Sequence, residues 1–563
     1  MKFLYSFFAL TLAVAITVSS AFAGTEKLAP ELRREGISGN LDVIVQYRDS
    51  PSEAAHQKLA AKGAVLRHDL TVIHSRHYSV PASVLADLSD DPEVTYVTPD
   101  RPVHAHLDQA DVSIGANLAA SYNVNGTGVG VAVIDSGIGR HDDLAGKVVH
   151  EEQFIQGSID DVFGHGTHVA GIIAGDGKMS TGPLYFRTFK GVAPGVHLID
   201  LQVLDQHGDG TDSAVIAAIQ RAIALRSTYG IRIINLSLGR PVFESYKDDP
   251  LCQAVEQAWK SGIIVVVAAG NYGRTNPGTT AGYGTITVPG NDPYVITVGA
   301  MKDMGTPNTS DDRIASYSSK GPTSLDLIAK PDIVAPGNLI DSLRAPASNL
   351  YNQYPQVEIL NNLYMNGNIN GYSAEYAQMS GTSMATPFVT GAAALLLQQH
   401  PSMTPDQVKA RLMLTAVKSF PSTSSYTDLS TGITYHATYD IFTVGAGYLN
   451  IGDALFSSAL PSAYLSAASP ALVRTNAGTW TFASAASTVW GSSTVWGSST
   501  VWGSSTVWGS STVWGSSTVW GSSTVWGSST VWGSSTVWGS SWSGSSKIAE
   551  SANAILLDGD RNN

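Results

Sequence analysis

Cysteine is almost absent: Cys252 is the single one in 563 residues. No intramolecular disulfide can form, so stability must come from packing, and no Cys/His cluster with zinc-ligand spacing is present. Cys252 lies at an apparent helix start, Pro250-Leu251-Cys252-Gln253, and is expected to be a buried structural thiol. Basic charge is also scarce. Lys and Arg number 33 against 46 Asp and Glu, a formal net charge of −13, which supplies no field for holding a phosphate backbone; nucleic acid is not an expected partner. Long apolar runs are missing too. The run from Phe3 to about Val18 falls short of the roughly 20 residues that a spanning helix needs. It follows Lys2 and ends in Ala21-Phe22-Ala23-Gly24, the three parts of a secretory signal. We therefore expect export, with residues 1–23 as signal, and a soluble mature protein that is extracellular or held at the cell surface by its C-terminal tail.

What is present is a globular composition, 43% hydrophobic and 14% charged, arranged in segments of different character. Residues 41–106 alternate short strand and helix patterns: Asp42-Val43-Ile44-Val45-Gln46-Tyr47 as a strand, a helix, strand pairs over 65–81, a helix over 82–88, and a last strand Glu93-Val94-Thr95-Tyr96-Val97. This predicts a small βαββαβ unit. Ser50-Pro51-Ser52-Glu53 reads as a capping box with proline at the first helical position, which makes Ser50 the expected cap.

From 107 to 457 apolar runs alternate with helical periods, the pattern of a mostly parallel sheet covered by helices on both faces. The predicted strands are 129–134, 198–204, 231–236, 263–269 and 295–298, with helices over 213–225 and 251–260 between them. Thr404-Pro405-Asp406-Gln407 is a second capping box. Residues 458–486 read as a linker. From 487 to 542 the chain repeats Ser-Thr-Val-Trp-Gly-Ser, with a tail over 543–563. The repeat is compatible with a low-complexity Gly/Ser/Thr tail or with a stacked β-arrangement.

Three segments carry chemistry: Val131-Ala132-Val133-Ile134-Asp135-Ser136-Gly137, Gly164-His165-Gly166-Thr167-His168-Val169, and Gly381-Thr382-Ser383-Met384-Ala385-Thr386-Pro387. Asp135 closes a buried strand at its carboxyl end, where open parallel sheets gather catalytic groups. His165 sits between two glycines, so its ring can approach that carboxylate, which would fix the imidazole tautomer and free the other nitrogen as a base. Ser383 opens a helix whose first amides favour developing negative charge. Asn271, in Ala268-Ala269-Gly270-Asn271, projects from the same sheet edge. Its amide and the Ser383 backbone N–H could hold a tetrahedral oxyanion. Taken singly, an Asp after a strand or a Ser before a helix is more often a cap. Their coincidence in one chain is what speaks for catalysis.

The order Asp, His, Ser within these three surroundings, together with Ala-Ala-Gly-Asn, resembles the subtilisin-like serine proteases from about Leu107 to Ala454. The resemblance implies a serine endopeptidase with Asp135 as orienting acid, His165 as general base and acid, Ser383 as nucleophile and Asn271 as oxyanion donor. His168 matches the family's second, structural histidine. Ser237, Leu238 and Gly239 would pair with an extended protein or peptide substrate and form one wall of the S1 pocket; Gly270 would line the other, with a floor near Thr287-Val288-Pro289-Gly290. Residues 41–106 resemble an inhibitory propeptide, a zymogen segment acting as intramolecular inhibitor. Self-cleavage is expected between His106 and Leu107, with Val103 in an apolar S4 pocket and Ala105 at S2. No cofactor is required for catalysis. Structural calcium is frequent in the family, and Asp160, Asp161, Asp311 and Asp312 are candidates by composition alone, so no metal ligand is assigned.

Two other functions compete with this one. A surface or matrix binding protein acting through the Trp repeat would make the intact catalytic constellation idle. A serine esterase of the α/β-hydrolase kind would need a Gly-x-Ser-x-Gly elbow, which Gly381-Thr382-Ser383-Met384-Ala385 lacks. Residues after about Phe456 are expected to be dispensable for catalysis.

Overall fold

The computed structural model describes residues 27–28, 30–33, 38–70, 74–99, 113–277, 280–306, 308–367, 369–428, 431–458, 461, 466–474, 480–482 and 559–560. The expected signal 1–23, the residues Val103 to Leu107 around the expected cleavage point, and the repeat 487–542 lie outside the described residues. The chain divides into two units, residues 1–104 and 105–563.

In the first unit, β1 (Asn40–Tyr47) turns Val43, Val45 and Tyr47 inward and their neighbours outward, the period of two that one covered face requires. It is followed by α1 (Glu53–Ala60), β2 (Val65–Leu70), β3 (Ser75–Pro81), α2 (Leu85–Asp90) and β4 (Val94–Pro99). The sheet is antiparallel with order β2-β3-β1-β4, a βαββαβ arrangement around a core that includes Val43, Tyr78, Val80, Leu88 and Val97. The cap of α1 differs from expectation. Ser52, not Ser50, accepts the Ala55 N–H at 3.2 Å, while Ser50 Oγ pairs with His74 Nδ1 at 3.0 Å. Both serines suit the role; the chain places the one adjacent to Glu53.

The second unit is built on an eight-stranded sheet of order β11-β10-β9-β8-β5-β7-β6, with β12 also paired to β10. Its strands are β5 (Gly130–Asp135), β6 (Val148–Gln153), β7 (His197–Gln202), β8 (Ile231–Leu236), β9 (Ile264–Ala268), β10 (Ile296–Lys302), β11 (Arg313–Ile314) and β12 (Ile333–Pro336). Only β11 runs antiparallel to its partner. β5 and β9 are buried at every position, as central strands of a doubly covered parallel sheet must be. α3 (His165–Ala174) packs on α6 (Thr382–Gln399), and α4 (Asp212–Tyr229) packs on α5 (Pro250–Lys260). These two pairs cover the sheet. A smaller antiparallel sheet joins β13 (Ile340–Leu343), β14 (Glu358–Leu360) and β15 (Tyr372–Met379). α7 (Pro405–Thr415) opens on the expected capping box, with Gln407 N–H on Thr404 Oγ1 at 3.2 Å and Thr404 N–H on Gln407 Oε1 at 2.9 Å.

Part of the segment expected as a linker is packed instead. Ala467 is fully buried, and Ser469 Oγ donates to Asp332 Oδ1 at 2.6 Å while accepting from Lys409 Nζ at 3.0 Å. Lys330, Asp332 and Lys409 are themselves fully buried, and such charges persist inside a protein only when paired and hydrogen-bonded. Ser469 is one of the groups that satisfy them. The described stretch 466–474 is therefore packed in part into the domain rather than free of it.

Candidate active site

The carboxyl ends of β5, β8 and β9 open onto one edge of the sheet, where parallel strands leave loops free to carry function. Asp135 is the last residue of β5 and fully buried. Its Oδ1 accepts the His165 Nδ1–H at 2.7 Å and the Ser136 N–H at 2.8 Å. The approach depends on Gly166: a Cβ there would lie 2.2 Å from the Gly137 carbonyl oxygen and 3.2 Å from Asp135 Cβ, so any side chain would push α3 off the strand end. Burial alone would pull the His165 imidazole down, but the charge and hydrogen bond of Asp135, with Asp161 adding to them, reverse it and the net direction is up.

Asp161 has a part that its sequence did not announce. Fully enclosed, its Oδ1 accepts from Ser136 Oγ at 2.8 Å and Gly164 N–H at 2.7 Å, and its Oδ2 accepts from Thr167 N–H at 2.8 Å and Thr167 Oγ1 at 2.6 Å. These donors flank His165 on both sides. The carboxylate thus gathers the first turn of α3, where unpaired amides would otherwise remain, and sets the histidine against Asp135. Burial pushes its pKa up to about 6 despite the four donors.

Ser383 is the second residue of α6, partly exposed, so its backbone N–H belongs to the first turn, which has no intrahelical acceptor. Its hydroxyl donates to the Ser237 carbonyl at 3.0 Å. Asn271 follows β9 and faces it: Asn271 Oδ1 accepts both Thr382 N–H at 2.9 Å and Thr382 Oγ1 at 3.0 Å, which holds the amide's NH2 end away from the helix backbone and free for a ligand. A chain of bonds ties this helix start to the sheet. Thr390 Oγ1 donates to Asn235 Oδ1 at 2.8 Å, Asn235 Nδ2 to Ser237 Oγ at 3.0 Å, and Ser237 Oγ to the Ser383 carbonyl at 2.8 Å. Asn235, buried within β8, was not singled out from sequence, where it reads as one polar residue in an apolar run.

His165, backed by buried Asp135, a serine at a helix start and an asparagine amide converge on one cleft. The pattern of the Subtilase family matches residues 126–437, more than half of the chain. The chain belongs to the subtilase family. It is 38% identical over 390 residues to serine protease AprX of Bacillus subtilis, covering 66% of this chain and 82% of AprX. Similarity to subtilisin DY of Bacillus licheniformis is 36% over 306 residues, 54% of this chain and 89% of the relative, and to subtilisin E of Bacillus subtilis 33% over 384 residues, 66% and 84%. This subtilase is a serine endopeptidase, and its substrates are proteins.

The subtilase cleft is lined by all four expected substrate-contact residues, Ser237, Leu238, Gly239 and Gly270. Of the expected pocket floor Thr287 lines the cleft, while Val288 is fully buried and its backbone pairs with that of Arg240. Gly208, Asp209 and Gly210, after β7, line the cleft as well, as does Phe163, whose ring lies 6.3 Å from that of His165. The Gly-Asp-Gly after a strand was the available signal for that loop. His168 is buried, its Nε2 bonded to the carbonyls of Ile340 and Ala377 at 3.1 Å each; burial and the neighbouring His165 hold its pKa down at about 3. Cys252 is fully buried with its thiol on Asn291 Oδ1 at 3.2 Å, and burial pushes its ionisation upward.

For calcium, the four acidic candidates have other partners. Asp161 is used as above, Asp160 pairs with Ser158, Asp311 accepts from Thr306, and Asp312 accepts from Met304 N–H. Among the described residues no group of three or more His, Cys, Asp or Glu side chains is disposed to hold a metal ion. None of the described helices is long and apolar enough to cross a membrane.

Proposed function

We propose that this subtilase hydrolyses peptide bonds with Asp135, His165 and Ser383 through an acyl-enzyme. The observation that carries the reading is the 2.7 Å bond from His165 Nδ1 to buried Asp135 at the head of the cleft that also holds Ser383. That bond leaves Nε2 as the basic nitrogen. Ser383 Oγ, released from the Ser237 carbonyl by rotation about its side chain, passes its proton to Nε2 and attacks the scissile carbonyl carbon. The oxyanion that forms is held by Asn271 Nδ2–H and the Ser383 N–H. The imidazolium then protonates the leaving amine, and the C–N bond breaks. Water, deprotonated by the same imidazole, cleaves the acyl ester and returns the proton to Ser383. Nucleophile, base and acid all come from the chain, so the chemistry needs no cofactor; calcium, if bound, would act on stability.

The reading extends to a zymogen that is exported through residues 1–23, in which 41–106 inhibits and is released by cleavage after His106. Support comes from the βαββαβ unit preceding the catalytic unit and from the uncharged residues at the proposed junction. Casein digestion by the purified chain and by its Ser383→Ala variant tests the core of the proposal. The variant should be inactive and remain a precursor, since nucleophile and base act as a unit. Undiminished digestion would end the assignment.

A further inference from the structure

Outside the residues that line the cleft, an arginine is enclosed in a way that the protease chemistry does not use. Arg274 stands three positions after Asn271, is buried, and lies over the rings of Tyr426 and Tyr435 at 5.1 and 5.4 Å. Its charge is met by a residue from the far end of the chain. Arg274 NH2 donates to Asp560 Oδ1 at 2.9 Å and to the Gly559 carbonyl at 3.0 Å. The second carboxylate oxygen accepts the Ser316 N–H at 2.8 Å, Ser316 Oγ donates to Oδ1 at 2.6 Å, and the Asp560 N–H donates to Asn338 Oδ1 at 2.7 Å. Asp560 is 2% exposed. An aspartate is almost never so enclosed unless each of its oxygens is met.

The preceding residue is fitted as closely. Gly559 has φ +51°, and a Cβ on it would lie 2.2 Å from Ser380 Oγ and 2.6 Å from Asn338 Oδ1. Ser380 itself stands three positions before Ser383 and accepts the Leu339 N–H at 2.9 Å. The loop after β9, the Ser316 turn, the turn at Asn338 and the approach to α6 therefore converge on two residues that come after the whole Trp repeat.

We infer that Arg274, Ser316 and Asn338 form a carboxylate-binding site whose ligand is the chain's own Gly559-Asp560, an internal clasp that joins these two residues to the loop carrying Asn271 and to the segment that leads into α6 and Ser383. The site accepts an aspartate side chain preceded by glycine: with the backbone held on Asn338, the extra methylene of a longer acid would drive its carboxylate into the guanidinium and the Ser316 amide, and a residue with a Cβ in place of Gly559 would collide with Ser380.

Thermal unfolding of the full-length chain, carried on Ser383→Ala to prevent self-digestion, tests this. Asp560→Ala, Asp560→Asn and Gly559→Ala should each lower the melting temperature by several degrees, because a buried, hydrogen-bonded ion pair is broken or displaced. Combined with Arg274→Ala, Asp560→Ala should add a further loss of no more than about 1 °C, since both changes remove the same interaction. If Arg274→Ala does not fold, Ser316→Gly replaces it in the cycle; it removes the hydroxyl bond to Oδ1 and should likewise blunt the effect of Asp560→Ala. Melting temperatures of the Asp560 and Gly559 variants equal to that of the parent would overturn the clasp. So would full additivity with the Arg274 change, or with the Ser316 change where that is used.

Discussion

Replacing Asp161 by asparagine separates the carboxylate's positioning work from its volume. In the folded chain each oxygen serves one backbone N–H and one hydroxyl: Gly164 N–H and Ser136 Oγ on one side, Thr167 N–H and Thr167 Oγ1 on the other. An amide can offer an oxygen to only one side. On the other its NH2 faces a backbone N–H that cannot reverse, although the hydroxyl there can turn and accept. One charge-assisted bond, worth about 1.5–3 kcal/mol, is lost outright, and those retained drop to the neutral class, so the total is about 3 kcal/mol. Because the two amides flank His165, part of this appears in catalysis. We expect kcat to fall by about tenfold to a hundredfold, equivalent to roughly 1.4–2.8 kcal/mol, with KM changed by less than about twofold. Urea unfolding of the Ser383→Ala chain gives the stability, and turnover of a chromogenic peptide by the active chain gives kcat. Both are run well above the value of about 6 to which burial pushes Asp161, so that the parent is ionised. Asp160→Asn, an exposed neighbour bonded to Ser158, is the control and should be neutral. An unchanged unfolding midpoint together with an unchanged kcat would refute the reasoning.

Asn271→Leu should slow the chemical step by roughly a hundredfold or more at nearly constant KM, the general range for losing one of two oxyanion donors rather than a value worked from this site; a raised KM with unchanged kcat would contradict the role. The acid limb of kcat/KM should fall above pH 6.5, because Asp135 outweighs burial and raises His165, and the base is active only when neutral, so activity is lost as pH drops through that raised value. Asp135→Asn should move what limb remains to lower pH, and a limb below 6.5 in the parent would count against the assignment. N-terminal sequencing of secreted, active enzyme should give a start at or within a few residues of Leu107; a start before residue 95 or beyond residue 120 removes both the junction and the pocket preferences drawn from it.

How far the molecule could be read from its sequence depended on whether a residue's partner lay in a local pattern. β5, β7, β8, β9 and β10 were legible because a doubly covered parallel strand has to be a run of apolar side chains. β6, Val-Val-His-Glu-Glu-Gln at the sheet edge, alternates half-buried and exposed positions and carries no such run. Asp135, His165, Ser383 and Asn271 were legible because each sits in a distinctive segment at an element's end. Asp161 stands out in the sequence only as a calcium candidate by composition, since nothing adjacent to it shows that four donors converge on it. Asn235 was hidden inside a strand, and Ser469 and Asp560 lay in stretches whose composition suggested no packing. Their partners stand 137 residues away for Ser469 with Asp332 and 286 for Arg274 with Asp560. Contacts of that separation leave no periodicity to read.

The enclosed thiol of Cys252 makes this molecule well suited to site-specific labelling. The native sulfhydryl is fully buried, engaged with Asn291, and its ionisation is pushed upward, so maleimides and disulfide reagents, which need an accessible thiolate, should leave the folded native chain unmarked. A cysteine introduced anywhere on the surface would then be its sole reactive group. A dye or spin label could report on the chain's far end, or on opening of the cleft, without first removing a native cysteine and disturbing the packing around it.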